Sequence, residues 1–300
     1  MNKIVNKICE ILFKLDRRKI IILPDKLYLK VAYRFFFKKK LRLKNPKSFN
    51  EKMQWLKLHD RKPIYTTMVD KYEAKKIISN LIGEEYTIPT IGVYDSFEEI
   101  DFSKLPKKFV IKCTHDSGSI IRIKDKNVIN KDFLKTRLDE LLKNNYYYSG
   151  REWPYKNIKP RIIIEEYMED NKKGGLVDYK IHLFNGVPKI ILVCKNRFNN
   201  KMTEDFFDTD WNHLKIKRED HDNSIEKITK PKMLKKMLEI SKMLSKNICF
   251  LRIDFYEING KIYFGEFTFF PASGFKPFVP EPVDWELGDM IDLKGINNYE

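Results

Sequence analysis

Two runs of alternating apolar and polar residues near the C-terminus flank an Asn-Gly pair. The first run covers residues 251–256 and the second covers residues 261–268, with Asn259 and Gly260 between them. Alternation with a period of two is typical of a strand with one buried face, and Asn-Gly favours a two-residue hairpin turn. The pattern therefore predicts a β-hairpin.

Three charged residues interrupt the apolar pattern of this hairpin. Arg252 and Asp254 are two positions apart, so they lie on one face of the first strand, and pairing can bring Glu266 beside Asp254. Charges on a mostly apolar sheet are expensive to desolvate without partners. A divalent cation with phosphate oxygens would satisfy all three, because Mg²⁺ prefers oxygen ligands and arginine binds anions. A salt-bridged surface hairpin is the alternative that the hairpin alone leaves open.

A lysine beside a small polar loop gives a second signal upstream. Residues 109–113 have the pattern of a buried strand, Lys112 lies near its end, and the loop 114–119 follows. This loop contains Ser117, Gly118 and Ser119. Backbone N–H groups and an ammonium group in such an arrangement favour phosphate binding. The segment is neither a Walker A sequence nor a dinucleotide fingerprint.

Two further strand patterns carry polar residues at regular spacing. Residues 161–168 form an apolar run that leads into Glu165 and Glu166, and residues 177–184 alternate up to a second Asn-Gly pair. The polar face of the alternating run carries Asp178, Lys180 and His182. An apolar run over residues 189–193 follows the Asn-Gly pair, which predicts a second hairpin.

In this order, the segments resemble the ATP-grasp superfamily. They are most similar to the TupA-like ATP-grasp proteins found among bacterial capsule and cell-surface polysaccharide genes. The matching stretches are VDKYEAKKII, the lysine strand with its Ser-Gly loop, IIIEEYM, DYKIHLFNG and RIDFY…GKIYFGEFTFFPASG. The resemblance covers roughly residues 45–290 and implies an α+β fold in which two α+β subdomains grip ATP.

The resemblance also implies a role for individual residues. The residues implied to bind ATP are Lys71, Lys112, Ser117, Gly118, Ser119, Glu165, Glu166 and Met168. Within that group, the lysines and the Ser-Gly-Ser loop would contact the phosphates, and the segment ending at Met168 would hold adenine and ribose. The residues implied to act in catalysis are Lys180, near the γ-phosphate, and Arg252. Those implied to hold Mg²⁺ are Asp254, Glu266 and Thr268, although many ATP-grasp enzymes have asparagine at the last position.

The activity implied by the resemblance is ATP-dependent amide formation between a carboxylate and an amine. ATP-grasp ligases typically phosphorylate the carboxylate, and the amine then displaces phosphate from the acyl phosphate. The cofactors are ATP and Mg²⁺. The implied substrates are an amino acid or amino sugar and a uronic-acid-containing surface polysaccharide or its precursor, so the partners are small-molecule or glycan substrates. The segment 271–282 is a candidate lining for the acceptor pocket.

The net charge of +16 is concentrated at the N-terminus, because residues 1–50 alone have a net charge of +12. We predict a basic, mostly helical extension over residues 1–60, an ATP-grasp domain over residues 61–292 and a tail over residues 293–300. The extension has two interpretations. It is either a helical cap packed on the domain or a basic amphipathic arm that contacts an anionic membrane or a lipid-linked acidic glycan.

Composition excludes several other classes of protein. The pI of about 9.4 is compatible with nucleic-acid binding, but no nucleic-acid motif accompanies it. The four cysteines and five histidines show no metal-ligand spacing. Three of the cysteines lie in strand-like apolar runs, where buried free thiols are common, which suits a reducing compartment. No apolar stretch reaches the ~20 residues of a transmembrane helix. We therefore expect a cytoplasmic protein that binds no nucleic acid, and association with the inner face of the membrane is the further expectation for the basic arm.

Asp208, Thr209 and Asp210 match the D-x-D pattern of metal-dependent glycosyltransferases. A glycosyltransferase that uses a nucleotide sugar is therefore the alternative function. A three-residue pattern arises easily by chance in an acidic segment. We place it in a solvated loop rather than at the end of a buried strand.

Overall fold

A computed structural model describes residues 3–170, 175–196, 202–294 and 296. Its centre consists of two antiparallel sheets. The smaller sheet has the order β1-β4-β2-β3. Its strands are β1 (Thr90–Tyr94), β2 (Phe109–Cys113), β3 (Ile120–Ile123) and β4 (Ile162–Glu166). Helix α6 (Lys131–Lys143) covers its apolar face through Leu134 and Leu138.

The larger sheet has the order β10-β9-β5-β6-β7 and contains both predicted hairpins. Its strands are β5 (Asp178–Phe184), β6 (Val187–Lys195), β7 (Thr203–Asp208), β9 (Phe250–Ile258) and β10 (Lys261–Thr268). One face is apolar, with Ile181, Ile253 and Phe255 fully buried, and α8 (Leu234–Leu244) packs against β5 and β6. Alternation therefore turns the polar residues of these strands toward the opposite face.

Shorter elements complete the large core. Helix α3 (Phe49–His59) begins with a capping box formed by Ser48 and Glu51. The other helices around this core are α4 (Ile64–Val69), α5 (Glu73–Ile82) and α9 (Pro282–Asp289). Two short strands, β8 (Lys217–Arg218) and β11 (Phe278–Val279), pair with each other. The 3₁₀ turns are Glu84–Tyr86, Lys126–Val128, Trp153–Tyr155 and Pro271–Gly274.

The aromatic stretch over residues 146–155 is partly helical. It contains α7 (Tyr147–Gly150) and the 3₁₀ turn at Trp153–Tyr155. Its tyrosines pack against each other and against neighbouring segments. Tyr147 and Tyr155 are both buried.

The N-terminal region forms two helices, α1 (Lys3–Arg17) and α2 (Asp25–Phe37). Their inner faces share a separate apolar cluster, in which Phe13, Tyr28 and Leu29 pack with Phe275, the residue after the turn at Pro271–Gly274. None of the helices in the described part of the chain is long and apolar enough to cross a membrane. The four cysteines are buried and free. The predicted boundaries at residues 60 and 292 remain predictions, and residues 295 and 297–300 of the predicted tail lie outside the described residues.

Candidate functional site: a charged cleft between two sheets

The predicted charged residues of the large sheet share one face. Asp254 lies opposite Lys180 on β5 and opposite Glu266 on β10. In the same way, Arg252 lies opposite Thr268. The register confirms the predicted pairing of Glu266 with Asp254.

A β-bulge at Gly265 produces this pairing. Phe264 lies opposite Phe255, yet the next paired residue on β10 is Glu266, which lies opposite Asp254. Regular alternation would turn position 265 toward Asp254, so the extra residue is what brings the Glu266 side chain to the polar face. A Cβ atom at Gly265 would lie 3.1 Å from the Asp254 carbonyl oxygen, which favours glycine at the bulge.

The side chains on this face form a continuous ion-pair network. Arg252 donates from Nε to Asp254 Oδ1 at 2.7 Å and from Nη2 to Glu266 Oε1 at 2.9 Å. Lys180 donates to the other oxygen of Asp254. The Thr268 hydroxyl lies 3.3 Å from Glu266 Oε1. Arg252 therefore connects Asp254 with Glu266, and Lys180 pairs with Asp254 and lies 3.8 Å from Asp178 Oδ1.

The two carboxylates differ in exposure and protonation energetics. Asp254 is buried, and although burial raises the pKa of its carboxyl, Arg252 and Lys180 outweigh that effect and hold the pKa at about 2. The pKa of Arg252 is raised, because Asp254 and Glu266 outweigh the opposite effect of burial. The Glu266 side chain is 37% exposed. Asp254 is thus a buried carboxylate held by two cations, and Glu266 is the solvent-accessible carboxylate of the pair.

The donor set on this face suits Mg²⁺. Asp254, Glu266 and Thr268 offer oxygen ligands, and Mg²⁺ sites typically combine one or two carboxylates with phosphate oxygens of a substrate. Among the described residues, Glu266 Oε2 accepts no hydrogen bond, so it can take a ligand without breaking a contact. No group of three Asp, Glu, His or Cys side chains that could hold a metal occurs within the described ranges. A metal here would therefore depend on ligands from the substrate.

The small sheet carries its own buried carboxylate. Glu165 on β4 forms ion pairs with Lys112 on β2 and with Lys75 on α5. Burial raises the pKa of Glu165, but the two lysines outweigh it and hold the pKa at about 2. Lys75 also donates to Thr90 Oγ1 at 2.8 Å. Sequence reasoning missed Lys75, which follows Lys71 by four residues in the VDKYEAKKII segment.

The polar loop after β2 is fixed at its base. Lys71 Nζ donates to the Cys113 carbonyl at 2.8 Å and to Asp116 Oδ1 at 3.0 Å. The Ser119 hydroxyl donates to the same carboxylate oxygen at 2.5 Å. Ser117 and Gly118 are exposed at the tip, where Gly118 has a φ of 96°. Lys71 and Ser119 therefore hold the loop in this structure, and their predicted contact with phosphate stays a prediction.

A pocket of about 360 Å³ lies between the two sheets. The predicted ATP-binding residues that line it are Lys112, Glu165, Glu166 and Met168. Its apolar walls include Ile88, Val110 and Leu176. Asp178 and Tyr256 reach it from the large sheet, two positions from Lys180 and Asp254 on the same faces of β5 and β9. Arg122 and Tyr256 are lining residues that sequence reasoning missed, although period-two alternation with Asp254 could have indicated Tyr256.

A second buried polar cluster lies beside the 3₁₀ turn at Pro271–Gly274. Lys57 on α3 donates to the Gly150 carbonyl at 2.6 Å and to the Ser273 carbonyl at 2.8 Å. The Ser273 hydroxyl donates to Glu152. Burial raises the pKa of Glu152, against the opposing effects of Lys57 and Arg252. The turn begins three residues after the end of β10, which places this cluster next to the strand that carries Glu266. Sequence reasoning missed Lys57 and Glu152.

The first carboxylate of the D-x-D segment, Asp208, accepts hydrogen bonds from the turn that follows it. Asp208 is the last residue of β7, so the expectation that the motif does not follow a buried strand is wrong. Its Oδ1 accepts from the backbone N–H of Asp210 at 3.0 Å and of Asn212 at 2.8 Å, and its Oδ2 accepts from the Asn212 side chain. The carboxylate therefore caps the turn that follows the strand.

Comparison with solved structures gives distant likenesses. A D-alanine–D-alanine ligase from Bacillus anthracis complexed with ATP has 16% identity and a TM-score of 0.43, over 83% of this chain and 69% of that chain. The corresponding ligase from Helicobacter pylori has 15% identity and a TM-score of 0.41, over 81% and 69%. A RimK-domain ATP-grasp protein from Sphaerobacter thermophilus has 9% identity and a TM-score of 0.43, over 78% and 70%. A search of curated proteins gave no significant match.

Two antiparallel sheets with a pocket between them, each sheet carrying a buried charged cluster, are the architecture expected of an ATP-grasp ligase. The family model of TupA-like ATP-grasp proteins matches residues 51–292. Since this match spans most of the chain, the chain belongs to the TupA-like ATP-grasp family. Family membership confirms the predicted fold and the predicted class of ATP-dependent ligase, and it does not depend on the distant structural likenesses.

Proposed function

We propose that the chain joins a carboxylate to an amine by way of an acyl phosphate formed with ATP. The observation that carries the proposal is the pair of charged clusters at the pocket between the sheets. Lys112 and Glu165 line the pocket from the small sheet. Asp178 and Tyr256 line it from the strands that carry Lys180 and Asp254. A polyphosphate and a carboxylate brought together repel each other, so a cleft that joins them needs fixed positive charge.

The charge of each side chain in this cleft decides which part of the reaction we assign to it. We assign the ATP phosphates to Lys112, whose cluster has one more cation than carboxylates. Mg²⁺ bound by Asp254, Glu266 and Thr268 would neutralise phosphate charge during transfer. Arg252 lies between the two carboxylates and can stabilise negative charge on the acyl phosphate. Lys180, which is buried against Asp254, would contact the γ-phosphate of ATP.

For the adenine end, we propose the pocket segment that contains Glu166 and Met168. Apolar walls and backbone groups of an extended segment suit a planar base with polar edges. Glu165 has a different role from the one that the family resemblance implies, because both of its oxygens pair with lysines. It acts as the counterion that positions Lys112 for phosphate. Lys71 and Ser119 position the loop, whose tip residues Ser117 and Gly118 can close over the phosphates.

We place the acceptor beyond Glu266, next to the turn at Pro271–Gly274. Glu152 offers a buried carboxylate there for an ammonium group, and the Arg252 guanidinium offers a partner for a carboxylate. We propose a uronic-acid-containing glycan or its precursor as the carboxylate substrate and an amino acid or amino sugar as the amine. Because the reaction consumes ATP, we propose a cytoplasmic location. These substrates come from the capsule and cell-surface setting of the similar proteins.

The test is isothermal calorimetry of the protein with ATP and with UDP-sugars, each with Mg²⁺. We expect Mg²⁺-dependent ATP binding that the isosteric Glu266→Gln variant weakens and that Asp208→Asn leaves unchanged. Hydroxylamine then traps the acyl phosphate, so ATP-dependent hydroxamate formation should occur with glucuronic or galacturonic acid. Selective binding of UDP-sugars without ATP binding would contradict the proposal and support the glycosyltransferase alternative.

A further inference from the structure

The turn between α1 and α2 presents three consecutive isoleucines to solvent. Ile20, Ile21 and Ile22 are 64%, 43% and 63% exposed. Transfer of an exposed isoleucine side chain from water to apolar surroundings lowers the free energy. A cluster of such side chains in a solvent-exposed turn is therefore unfavourable. Contiguous apolar patches on soluble proteins mark interaction sites.

This turn is fixed by a buried ion pair. The guanidinium of Arg151 binds the Asp16 carboxylate through two hydrogen bonds of 2.7 Å, and both side chains are fully buried. Arg151 Nη2 also donates to the Leu23 carbonyl, and the Leu23 N–H donates back to Asp16 at 2.9 Å. Lys19 has a φ of 59°, which turns the chain sharply before the isoleucines. The isoleucines are thus held in place by contacts on both sides of the turn.

Helix α1 extends the apolar surface. Ile8 and Ile11 are 51% and 50% exposed and lie three residues apart, so they share one helix face. Leu15, which is half-buried, continues that face by one further turn. The backbone N–H of Ile20 bonds to the Leu15 carbonyl at 3.0 Å, which joins the helix face to the turn. We call the surface formed by Ile8, Ile11, Leu15 and residues 20–22 the apolar tip.

Positive charges surround the apolar tip. The cationic residues next to it in the chain are Lys7, Lys14, Arg17, Arg18, Lys19 and Lys26. All six are exposed, and within the part of the chain that the structure describes none forms an ion pair with a carboxylate. Lysines elsewhere commonly do, as in Lys108 with Glu169 and Lys135 with Glu98. The charges at the tip are therefore available to an anionic partner.

We infer that the apolar tip docks on a lipid bilayer surface that bears anionic headgroups. The isoleucines would enter the boundary between headgroups and acyl chains, and the surrounding cations would bind lipid phosphates. A second copy of the chain would bring an equally cationic surface, and the two would repel each other. The tip itself, unlike glycan-binding surfaces, presents isoleucines rather than aromatic rings or hydrogen-bonding side chains. Docking at this surface is independent of the ligase activity.

The experiment is flotation of the full chain with vesicles in a density gradient. We expect the protein to float with vesicles of about 30% phosphatidylglycerol in phosphatidylcholine, and to bind less at high salt or to phosphatidylcholine alone. The triple variant Ile20→Ser, Ile21→Ser, Ile22→Ser should lose about tenfold or more in vesicle partitioning. Its fold should be unchanged in thermal unfolding, because all three side chains are exposed.

A matched control changes exposed apolar residues away from the tip. Val128 and Ile225 are 81% and 105% exposed, and Val128→Ser with Ile225→Ser should leave flotation unchanged. Arg17→Glu with Arg18→Glu should abolish binding to anionic vesicles. The inference is overturned if the wild-type chain fails to float at low salt, or if the triple serine variant floats equally well. It is also overturned if sedimentation shows a dimer that the triple variant disrupts, without vesicle binding by either protein.

Discussion

The two sheets carry similar buried charge clusters that differ in net charge. On the small sheet, Glu165 is bound by Lys75 and Lys112, which leaves one positive charge in excess. On the large sheet, Lys180 and Arg252 are balanced by Asp254 and Glu266. Each cluster contains one buried carboxylate with a pKa of about 2. The difference is that the large-sheet cluster includes a second, accessible carboxylate, Glu266, whose side chain is 37% exposed.

This difference gives each side of the cleft its own ligand preference. A surplus cation next to a pocket favours phosphate, whereas an accessible carboxylate beside a clamped one favours a metal ion. The charge balance of each cluster depends on a single structural feature. Helix α5 contributes Lys75 to the small-sheet cluster, and the bulge at Gly265 places the Glu266 side chain on the polar face of the large sheet. Substitutions that remove one charge at a time can therefore test whether the two sides have separate roles.

Asp254→Asn should have the largest effect. The change leaves Lys180 and Arg252 buried without their shared counterion, and breaking such a buried network costs about 3–5 kcal/mol in the free energy of unfolding. We expect ATP turnover to fall about 10²–10³-fold as the metal ligand is lost. Urea unfolding and a phosphate-release assay measure the two effects. Wild-type turnover in a folded variant would remove Asp254 from the metal site.

Glu266→Gln should separate catalysis from stability. The side chain is partly exposed and its ion pair with Arg252 is screened, so the free energy of unfolding should change by less than about 1 kcal/mol. Turnover should still fall about 10²-fold, because the open metal ligand is lost. Titration of Mg²⁺ in the turnover assay should show a higher half-saturating concentration. An unchanged Mg²⁺ dependence would show that the large sheet does not hold the metal.

The two lysines of the small sheet should respond differently. Lys112 lines the pocket, so Lys112→Met should raise the KM for ATP about tenfold or more through loss of a charge-assisted contact. Lys75 lies outside that lining, and Lys75→Met should mainly lower the free energy of unfolding, by about 1–3 kcal/mol. Steady-state kinetics and urea unfolding of both variants provide the comparison. Equal effects on KM would mean that the two lysines act as one unit.

Acid should weaken both clusters together. The folded-state pKa values of Glu165 and Asp254 are about 2, below the ordinary values of 4.5 and 3.8. Depressed carboxyl pKa values add stability that is fully present above the unfolded pKa and is lost as the pH falls through the folded pKa. The contribution of these two carboxyls to the free energy of unfolding should therefore stay constant above about pH 5 and fall by on the order of 2–3 kcal/mol per carboxyl toward pH 2. Urea unfolding at several pH values measures this loss, and Glu165→Gln should reduce its size.

Local signals in the sequence were sufficient for both hairpins and for the charged face of the large sheet. Both Asn-Gly hairpins were predictable because alternation and turn residues act over a few positions, and Asn259 and Gly260 adopt the positive φ values that such turns require. The pairing of Asp254 with Glu266 was predicted as well, although it depends on the bulge at Gly265. Nothing in a regular strand pattern indicates a bulge.

The contacts that sequence reasoning missed join segments distant in the chain. Lys75 reaches Glu165 across 90 residues of sequence, and Lys57 contacts Ser273 across 216. Buried ion pairs of this kind are determined by tertiary packing. The local sequence pattern therefore does not predict them. The same holds for Glu165, where the paired acids were read as a nucleotide hinge. Its side chain instead became the counterion of two lysines.

A third carboxylate, Asp208, serves as the reference for the comparison between the sheets. Its oxygens are occupied by the N–H groups of the following turn, and it lies outside both clusters. Asp208→Ala should lower the free energy of unfolding by about 1 kcal/mol, as expected for loss of a capping side chain, and should leave ATP turnover near the wild-type value. The smallest predicted effect thus checks that loss of activity in Asp254 and Glu266 variants reflects the cleft rather than removal of any acidic residue. Loss of turnover in a folded Asp208→Ala variant would revive the nucleotide-sugar alternative, because a turn cap has no part in ATP chemistry.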